Sequence, residues 1–350
     1  MMFDYNYFRD FIAKLMKTSP APLQLELQPG EGCGGYNCGF CYGYNQRLTS
    51  GKDLSLKDYY ALLDDLKGRV GLITMAGIKS DPLNNKNTYQ IIKRLKENGL
   101  RLGIHTKGFL LNKHLADLLN TNTAYGDFIT ISVDASDSAV YNSLHGLPKG
   151  GRFFGRVIEN VKYLYARKKK ARSGLNVNVS YLLFKQNSSM EQMERFVRIF
   201  GEACDTIRFS PPQLPNKVDS RPDYYLDSLT QVRKTVNHLR RKYHDKKIVF
   251  LDIEDSSHTT DFKYCYMQRF LAVIDSRGWV YPCPQITTEK FKPIAYGNIR
   301  NKGFWEIWDS KRRKRTLDME VERLGCRICD RKDEALNMEF GRIFKNERIS

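Results

Sequence analysis

Between residues 20 and 210 the chain keeps one rhythm, in which short apolar or alternating runs are followed by helical patterns. The candidate strands are 23–28 (LQLELQ), 71–77 (GLITMAG), 101–108 (RLGIHTKG), 127–134 (DFITISVD), 175–183 (LNVNVSYLL) and 206–212 (TIRFSPP). The spacing predicts helices at about 54–67, 87–98, 112–120, 153–170 and 188–202, with Ser188 and Glu191 as a capping box for the last. Six strands with five intervening helices is an α/β count, which an open doubly wound sheet or an incomplete barrel satisfies equally. In either architecture the residues just past the strand C-termini share one face, where ligands usually bind. Cys33, Gly77, Lys107, Asp134 and Arg208 are therefore expected to converge.

The texture changes after that series. Residues 213–250 read as a connector with a basic helix at about 223–244. The run 270–284 (FLAVIDSRGWVYPCP) suggests two short strands around a turn at Ser276–Gly278. A helix is expected in GFWEIWDSKRRKRTLD, with Phe304, Ile307 and Trp308 at core spacing.

Seven of the eight cysteines fall into two groups, which a disulfide framework does not explain in an intracellular chain. Cys33, Cys38 and Cys41 stand in GEGCGGYNCGFCYGYNQR at the spacing C-x4-C-x2-C. Glycines let such a loop turn tightly and aim amides at sulfur, so three thiolates there can wrap an iron-sulfur cluster with one iron left open. Zinc would need a remote fourth ligand, since no histidine precedes His105. Cys265, Cys283, Cys326 and Cys329 form the second group, which suits zinc or a four-iron cluster equally. Cys204 stands apart and reads as a buried apolar residue.

The formal charge is +18, from 57 Lys and Arg against 39 Asp and Glu. Basic runs at 167–172, 240–247 and 311–315 favour anionic partners, or simply complement helix C-termini. No apolar run has the length of a bilayer crossing, and the start resembles a short amphipathic helix rather than a secretory signal, so the cytoplasm is the expected compartment.

With the cysteine loop, the βα series and the second group together, the chain resembles the radical S-adenosylmethionine (radical SAM) superfamily, with a C-terminal SPASM- or Twitch-like extension. The resemblance spans about residues 20–335 and departs from the usual C-x3-C-x2-C by one inserted residue. It implies a partial (β/α)6 TIM-like barrel with a small auxiliary-cluster domain. The implied division is an N-terminal helix at 1–19, the core at 20–215, a linker with a helix at 216–250, the Twitch-like domain at 251–335 and a charged tail at 336–350.

By that resemblance, Cys33, Cys38 and Cys41 would ligate a [4Fe-4S] cluster whose open iron binds S-adenosylmethionine, and Phe40 would lie near its adenine. MAGIKSDPL at 75–83 is similar to the family's G-G-E-P motif: Ala76 and Gly77 would offer carbonyls to the methionine ammonium, and Asp81-Pro82 replaces Glu-Pro. HTKGFLL at 105–111 resembles the T-N-G segment, with Lys107 at the Asn position. Ser132 and Asp134 on the fourth strand, Asn178 and Ser180 on the fifth and Arg208 on the sixth are further pocket candidates. YNSLHGL at 141–147 resembles Y-x-x-L-R-G with His145 for Arg, a residue for the methionine carboxylate or for a helix cap. Gly278 to Cys283 matches G-x4-C, and Cys265, Cys283, Cys326 and Cys329 would hold one auxiliary [4Fe-4S] cluster.

The implied activity is reductive cleavage of S-adenosylmethionine and hydrogen abstraction from a peptide, fed by an external one-electron reductant such as flavodoxin or ferredoxin. A small anionic metabolite such as an aminosugar or nucleotide is the competing substrate class, favoured by the charge; against a peptide, residues 1–19 are too few for a leader-binding domain. Asp252, Asp255 and His258, with Glu254 and Asp261, are candidates for a general base leading into the auxiliary region. A zinc-stapled nucleic-acid binder is possible from the basic runs but not favoured, because no aromatic-basic module accompanies them. A simple electron-transfer protein would not need so large an α/β core, and no membrane partner is expected.

Overall fold

The computed structural model describes residues 21–30, 32–41, 43, 47–213, 223–252, 262–326 and 329–345, without the side chains of 331 and 332. The expected N-terminal helix at 1–19, Asp255 and His258 with their neighbours Glu254 and Asp261, and the last residues of the tail lie outside the described residues.

The βα rhythm is realised in order. The elements are β1 (Gln24–Gln28), α1 (Leu56–Leu66), β2 (Leu72–Met75), α2 (Thr88–Glu97), β3 (Leu102–Thr106), α3 (Lys113–Leu119) and β4 (Phe128–Ser132). Then come α4 (Ser138–Leu144), α5 (Phe153–Ala171), β5 (Asn176–Leu182), α6 (Met190–Phe200), β6 (Thr206–Ser210), α7 (Thr230–Lys242) and β7 (Ile248–Phe250). The C-terminal part adds β8 (Leu271–Asp275), β9 (Trp279–Tyr281), β10 (Gly297–Asn298), α8 (Phe304–Trp308), α9 (Lys311–Leu317), α10 (Val321–Leu324) and α11 (Arg331–Ile343).

Strands β1 to β6 are neighbours in chain order and all parallel. A doubly wound sheet would reverse its strand order part-way; this one does not, and the architecture is a partial barrel. Two parallel strands lengthen it beyond the expected six, and the antiparallel β9 and β10 follow at the β8 edge. β7 joins β6 in parallel from within the stretch read as a linker. At the other edge β8 pairs in parallel with β1, from Gln24 opposite Leu271 to Gln28 opposite Asp275. The β8–β9 hairpin is antiparallel and turns at Asp275–Gly278, as expected.

Along β5 every second side chain is fully buried: Val177, Val179 and Tyr181. They join the main core with Ile129, Ile131, Ile207 and Phe209 of the adjacent strands. The alternate positions, Asn178, Ser180 and Leu182, face the other way, beside Ser132 and Arg208. A parallel sheet covered by helices on both faces would be apolar at both sets of positions. Here one face is polar, which leaves room for a ligand.

Three local expectations shift. Ser189 rather than Ser188 caps α6, accepting from the Gln192 amide. The expected single helix after residue 303 breaks into α8 and α9, because Ser310 caps α9 by accepting from the Arg313 amide. The segment read as a charged tail from 336 is the second half of α11, whose Phe340 and Ile343 pack on Tyr264, Tyr266 and Phe270. The basic run at 167–172 is the end of α5, where Arg167 pairs with Asp117 and Lys168 with Asp205. Among the described residues no helix is long and apolar enough to cross a membrane.

Candidate functional site

The cysteine loop leaves β1 and crosses the C-terminal ends of the strands. Gly32, Gly34 and Gly35 adopt positive φ, which lets the loop turn tightly around Cys33. The Cys41 amide donates to the Cys38 carbonyl at 3.1 Å, and the Gly43 amide donates to Cys41 Sγ at 3.4 Å. The loop is tied down at two places: Asn37 N donates to His145 O at 2.9 Å, and Asp81 N donates to Gly32 O at 3.0 Å.

All three thiols are free and half-buried, and all three line a cavity of about 390 Å³. The same cavity is lined by Phe40, Ala76, Gly77, Asp81, Lys107, Ser132 and Arg208, so residues from β2, β3, β4 and β6 meet the loop as expected. Asp134, the remaining member of the expected set, lies just behind the wall. It is fully buried, with φ of 61°, and Lys107 Nζ donates to its Oδ2 at 3.2 Å. Its Oδ1 accepts from Leu182 N at 2.9 Å, which holds the ends of β4 and β5 together. Ser180 and Asn178 do not reach the cavity lining; Ser180 donates to Ser132 Oγ at 3.2 Å.

Asp81 replaces glutamate in the G-G-E-P-like segment, and its carboxylate is fully engaged. It accepts from Leu83 N, Thr106 Oγ1 and Lys107 N at 2.9, 2.9 and 2.7 Å. Burial still pushes its pKa above the ordinary range, against those hydrogen bonds. Asp81 thus pins the ends of β2 and β3 together.

Lys107 lies with Nζ 5.2 Å from the Phe40 ring centre. Burial disfavours its charge, but Cys38, Asp134 and Cys41 outweigh that and hold its pKa above the usual lysine value. His145 is fully buried behind Cys38 and does not line the cavity. Burial, then the Lys107 charge, keeps the imidazole neutral. Its Nε2 donates to the Val133 carbonyl at 3.1 Å, so Nδ1 is the acceptor facing Cys38 Sγ at 3.1 Å. His145 also ends α4. Burial, followed by the Asp81 charge, pushes the Cys33 thiol up to about 12.

The second group gathers at the C-terminal part. Cys265 Sγ accepts from Asn337 Nδ2 at 3.7 Å, and Cys283 Sγ accepts from Gln285 N at 3.5 Å. Burial raises all four thiol pKa values. Cys326 and Cys329 then add to the shift at Cys283, and Cys265 adds to the shift at Cys326 and Cys329, so the four sulfurs act on one another. Soft, unbridged thiols in threes and fours, with amides donating to sulfur, fit iron-sulfur clusters. Among the described residues no three His, Cys, Asp or Glu close around a single metal ion.

The cavity is also lined by Pro211, Gln213, Leu251 and Asp330. Gln213 Nε2 donates to the Cys329 carbonyl, which ties this part of the cavity wall to the second cysteine group. Asp330 was not among the expected acids; its only sequence signal is its place directly after Cys329. Asp252 lies outside the cavity lining, where it accepts from Arg233 Nε at 2.8 Å.

Residues 27–197 match the family model of the radical SAM superfamily, and 265–331 match SPASM, described as an iron-sulfur cluster-binding domain. The chain is 22% identical over 334 residues to an AdoMet-dependent heme synthase of Methanosarcina barkeri, covering 91% of this chain and 90% of that protein. It is 22% identical over 292 residues to the tungsten-containing aldehyde ferredoxin oxidoreductase cofactor-modifying protein of Pyrococcus furiosus, covering 79% and 78%. Among solved structures, Streptococcus suis SuiB bound to its precursor peptide SuiA superposes with a TM-score of 0.62 at 19% identity, covering 87% of this chain and 69% of SuiB. At that identity the likeness is one of fold.

Proposed function

The chain belongs to the radical SAM superfamily, with a SPASM iron-sulfur domain at its C-terminus, and from that premise we propose an enzyme that abstracts hydrogen from a peptide side chain or backbone carbon, leading to oxidation, crosslinking or epimerisation. The observation that carries this reading is the meeting of Cys33, Cys38 and Cys41 with the ends of four strands around one cavity. Cys33, Cys38 and Cys41 would hold a [4Fe-4S] cluster with an open iron, and Cys265, Cys283, Cys326 and Cys329 an auxiliary one. Such a cluster, when bound, would supply the one-electron reduction of S-adenosylmethionine that opens unactivated C–H bonds to hydrogen abstraction.

The chain's own residues bind and orient. The Phe40 ring, packed at 4.9 Å on Phe184, offers an apolar face for adenine. The backbone at Ala76 and Gly77 lines the cavity where the methionine ammonium would sit, and Ser132 and Lys107 flank it. Asp134 fixes the Lys107 ammonium, and the buried His145 ring packs behind Cys38. A core at 20–215 and an auxiliary domain at 251–335 remain the proposed division, and flavodoxin or ferredoxin the proposed reductant. The peptide assignment is supported by the shared fold with a protein crystallised with its precursor peptide. A small anionic metabolite is the second reading, favoured by Lys107 and Arg208 in the cavity lining.

The test is anaerobic reconstitution, reduction with dithionite and chromatography of the products. Formation of 5'-deoxyadenosine and methionine, abolished by Cys38→Ala, supports the reading; an intact cofactor in a fully iron-loaded sample overturns it. Deuterated candidate peptides and metabolites, followed by label in the 5'-deoxyadenosine, separate the two substrate classes.

A further inference from the structure

Arg208 is held on β6, opposite Ser180 of β5 and Val249 of β7, and its side chain lines the cavity. Nothing among the described residues hydrogen-bonds its buried Nε. Among the described residues no carboxylate lies within ion-pair reach of it, and the carboxylates that act on it, Asp134 and Asp330, do so only through space. Asp134 is already occupied by Leu182 N and Lys107 Nζ. Arg208 is only partly buried as a residue, but a buried guanidinium Nε with no partner is costly, and the cost falls when an anion completes it.

We propose that Arg208 binds a carboxylate carried by the substrate. The inference rests on the radical SAM reading for one point only, that the methionine part of the cofactor stays at the cysteine loop. That loop follows β1, whereas Arg208 lies five strands along the sheet, among Ser210, Gln213, Leu251 and Asp330. The proposal leaves the cofactor's own carboxylate to the loop end and gives the β6 end to a second molecule. The planar fork of arginine matches two carboxylate oxygens at once. Asp134 and Asp330 beside it disfavour a doubly charged phosphate relative to a singly charged carboxylate.

The test uses the reconstituted holoprotein saturated with S-adenosylmethionine. Glutarate, as the carboxylate probe, and inorganic phosphate are titrated calorimetrically in parallel into wild type, Arg208→Met and Arg208→Lys. The remaining cations are common to all three, so the differences report position 208. Loss of the charge-assisted pair predicts glutarate binding weakened by about tenfold or more in Arg208→Met. Arg208→Lys should fall between, keeping the charge without the fork, and it decides the matter if Arg208→Met does not fold. Affinity for S-adenosylmethionine should stay unchanged in every variant. Equal glutarate affinity in wild type and variants would mean an adventitious additive only and overturn the proposal. Phosphate binding lost in place of glutarate binding overturns the carboxylate. A loss of S-adenosylmethionine affinity in Arg208→Met assigns the guanidinium to the cofactor, which sinks the inference while leaving the family reading intact.

Discussion

Single side chains near the two cysteine groups divide into those whose chemistry the sequence displays and those defined by burial alone. Three cysteines in nine positions, and a lysine following an alternating strand, are legible because their residue types are rare in such places. Asp134 and Arg208 are legible only as positions at strand ends; the burial of Asp134, the place of Asp330 and the unfilled Arg208 Nε are not, since nothing local distinguishes a buried charged group from a surface one. Asp275 is a further example. It ends β8, and its Oδ1 accepts from Arg277 N and Trp279 N at 2.9 and 2.8 Å. Burial outweighs those bonds and pushes its pKa up to about 6. The folded state therefore holds this proton where the unfolded chain has released it, so its contribution to stability is full below about pH 4 and is lost as pH rises toward 6. The shift corresponds to about 3 kcal/mol. Urea unfolding of wild type and Asp275→Asn at pH 4.5 and 7.5 checks this: the variant should lose most of that pH-dependent difference, and an unchanged difference would refute the assignment.

At the scale of elements, the strands and helices of the βα series were readable from periodicity, because each strand buries one face and each helix one stripe. Where the reading slipped, a tertiary contact or a one-residue cap decided the outcome. β7 has three residues and gains its partners only from β6. α8 and α9 part at Ser310, which accepts a backbone hydrogen bond that a continuous helix would not leave open. The docking of the cysteine loop on the end of α4 is also invisible in the sequence. Gly146 has φ of 61°, and a Cβ there would come within 2.5 Å of the Asn37 carbonyl oxygen. Gly146→Ala should push away the segment that carries Cys38 while leaving the C-terminal group intact. Reconstituted wild type is expected to hold about eight irons, two four-iron clusters, and the variant about half. Iron and sulfide analysis reads this directly, and a full complement in Gly146→Ala would show that the loop tolerates displacement.

Across the whole molecule, the C-terminal part is built into the same sheet as the core. β8 extends the sheet beyond β1, and Gln213 reaches the Cys329 carbonyl across the cavity. The sequence separated the two regions by texture but held no sign that β1 would be their shared partner, since parallel pairing over more than 240 residues leaves no local mark. Cys33, Cys38 and Cys41 line that cavity, whereas Cys265, Cys283, Cys326 and Cys329 do not; we propose accordingly that the first three would leave an iron open to the cofactor and that the other four would not. Low-temperature EPR of the reduced, anaerobically reconstituted protein tests it most directly. Adding S-adenosylmethionine should alter the spectrum of the wild type and leave that of a Cys33→Ala/Cys38→Ala/Cys41→Ala variant, which retains only the C-terminal cluster, unchanged; a wild-type spectrum indifferent to the cofactor would contradict the account.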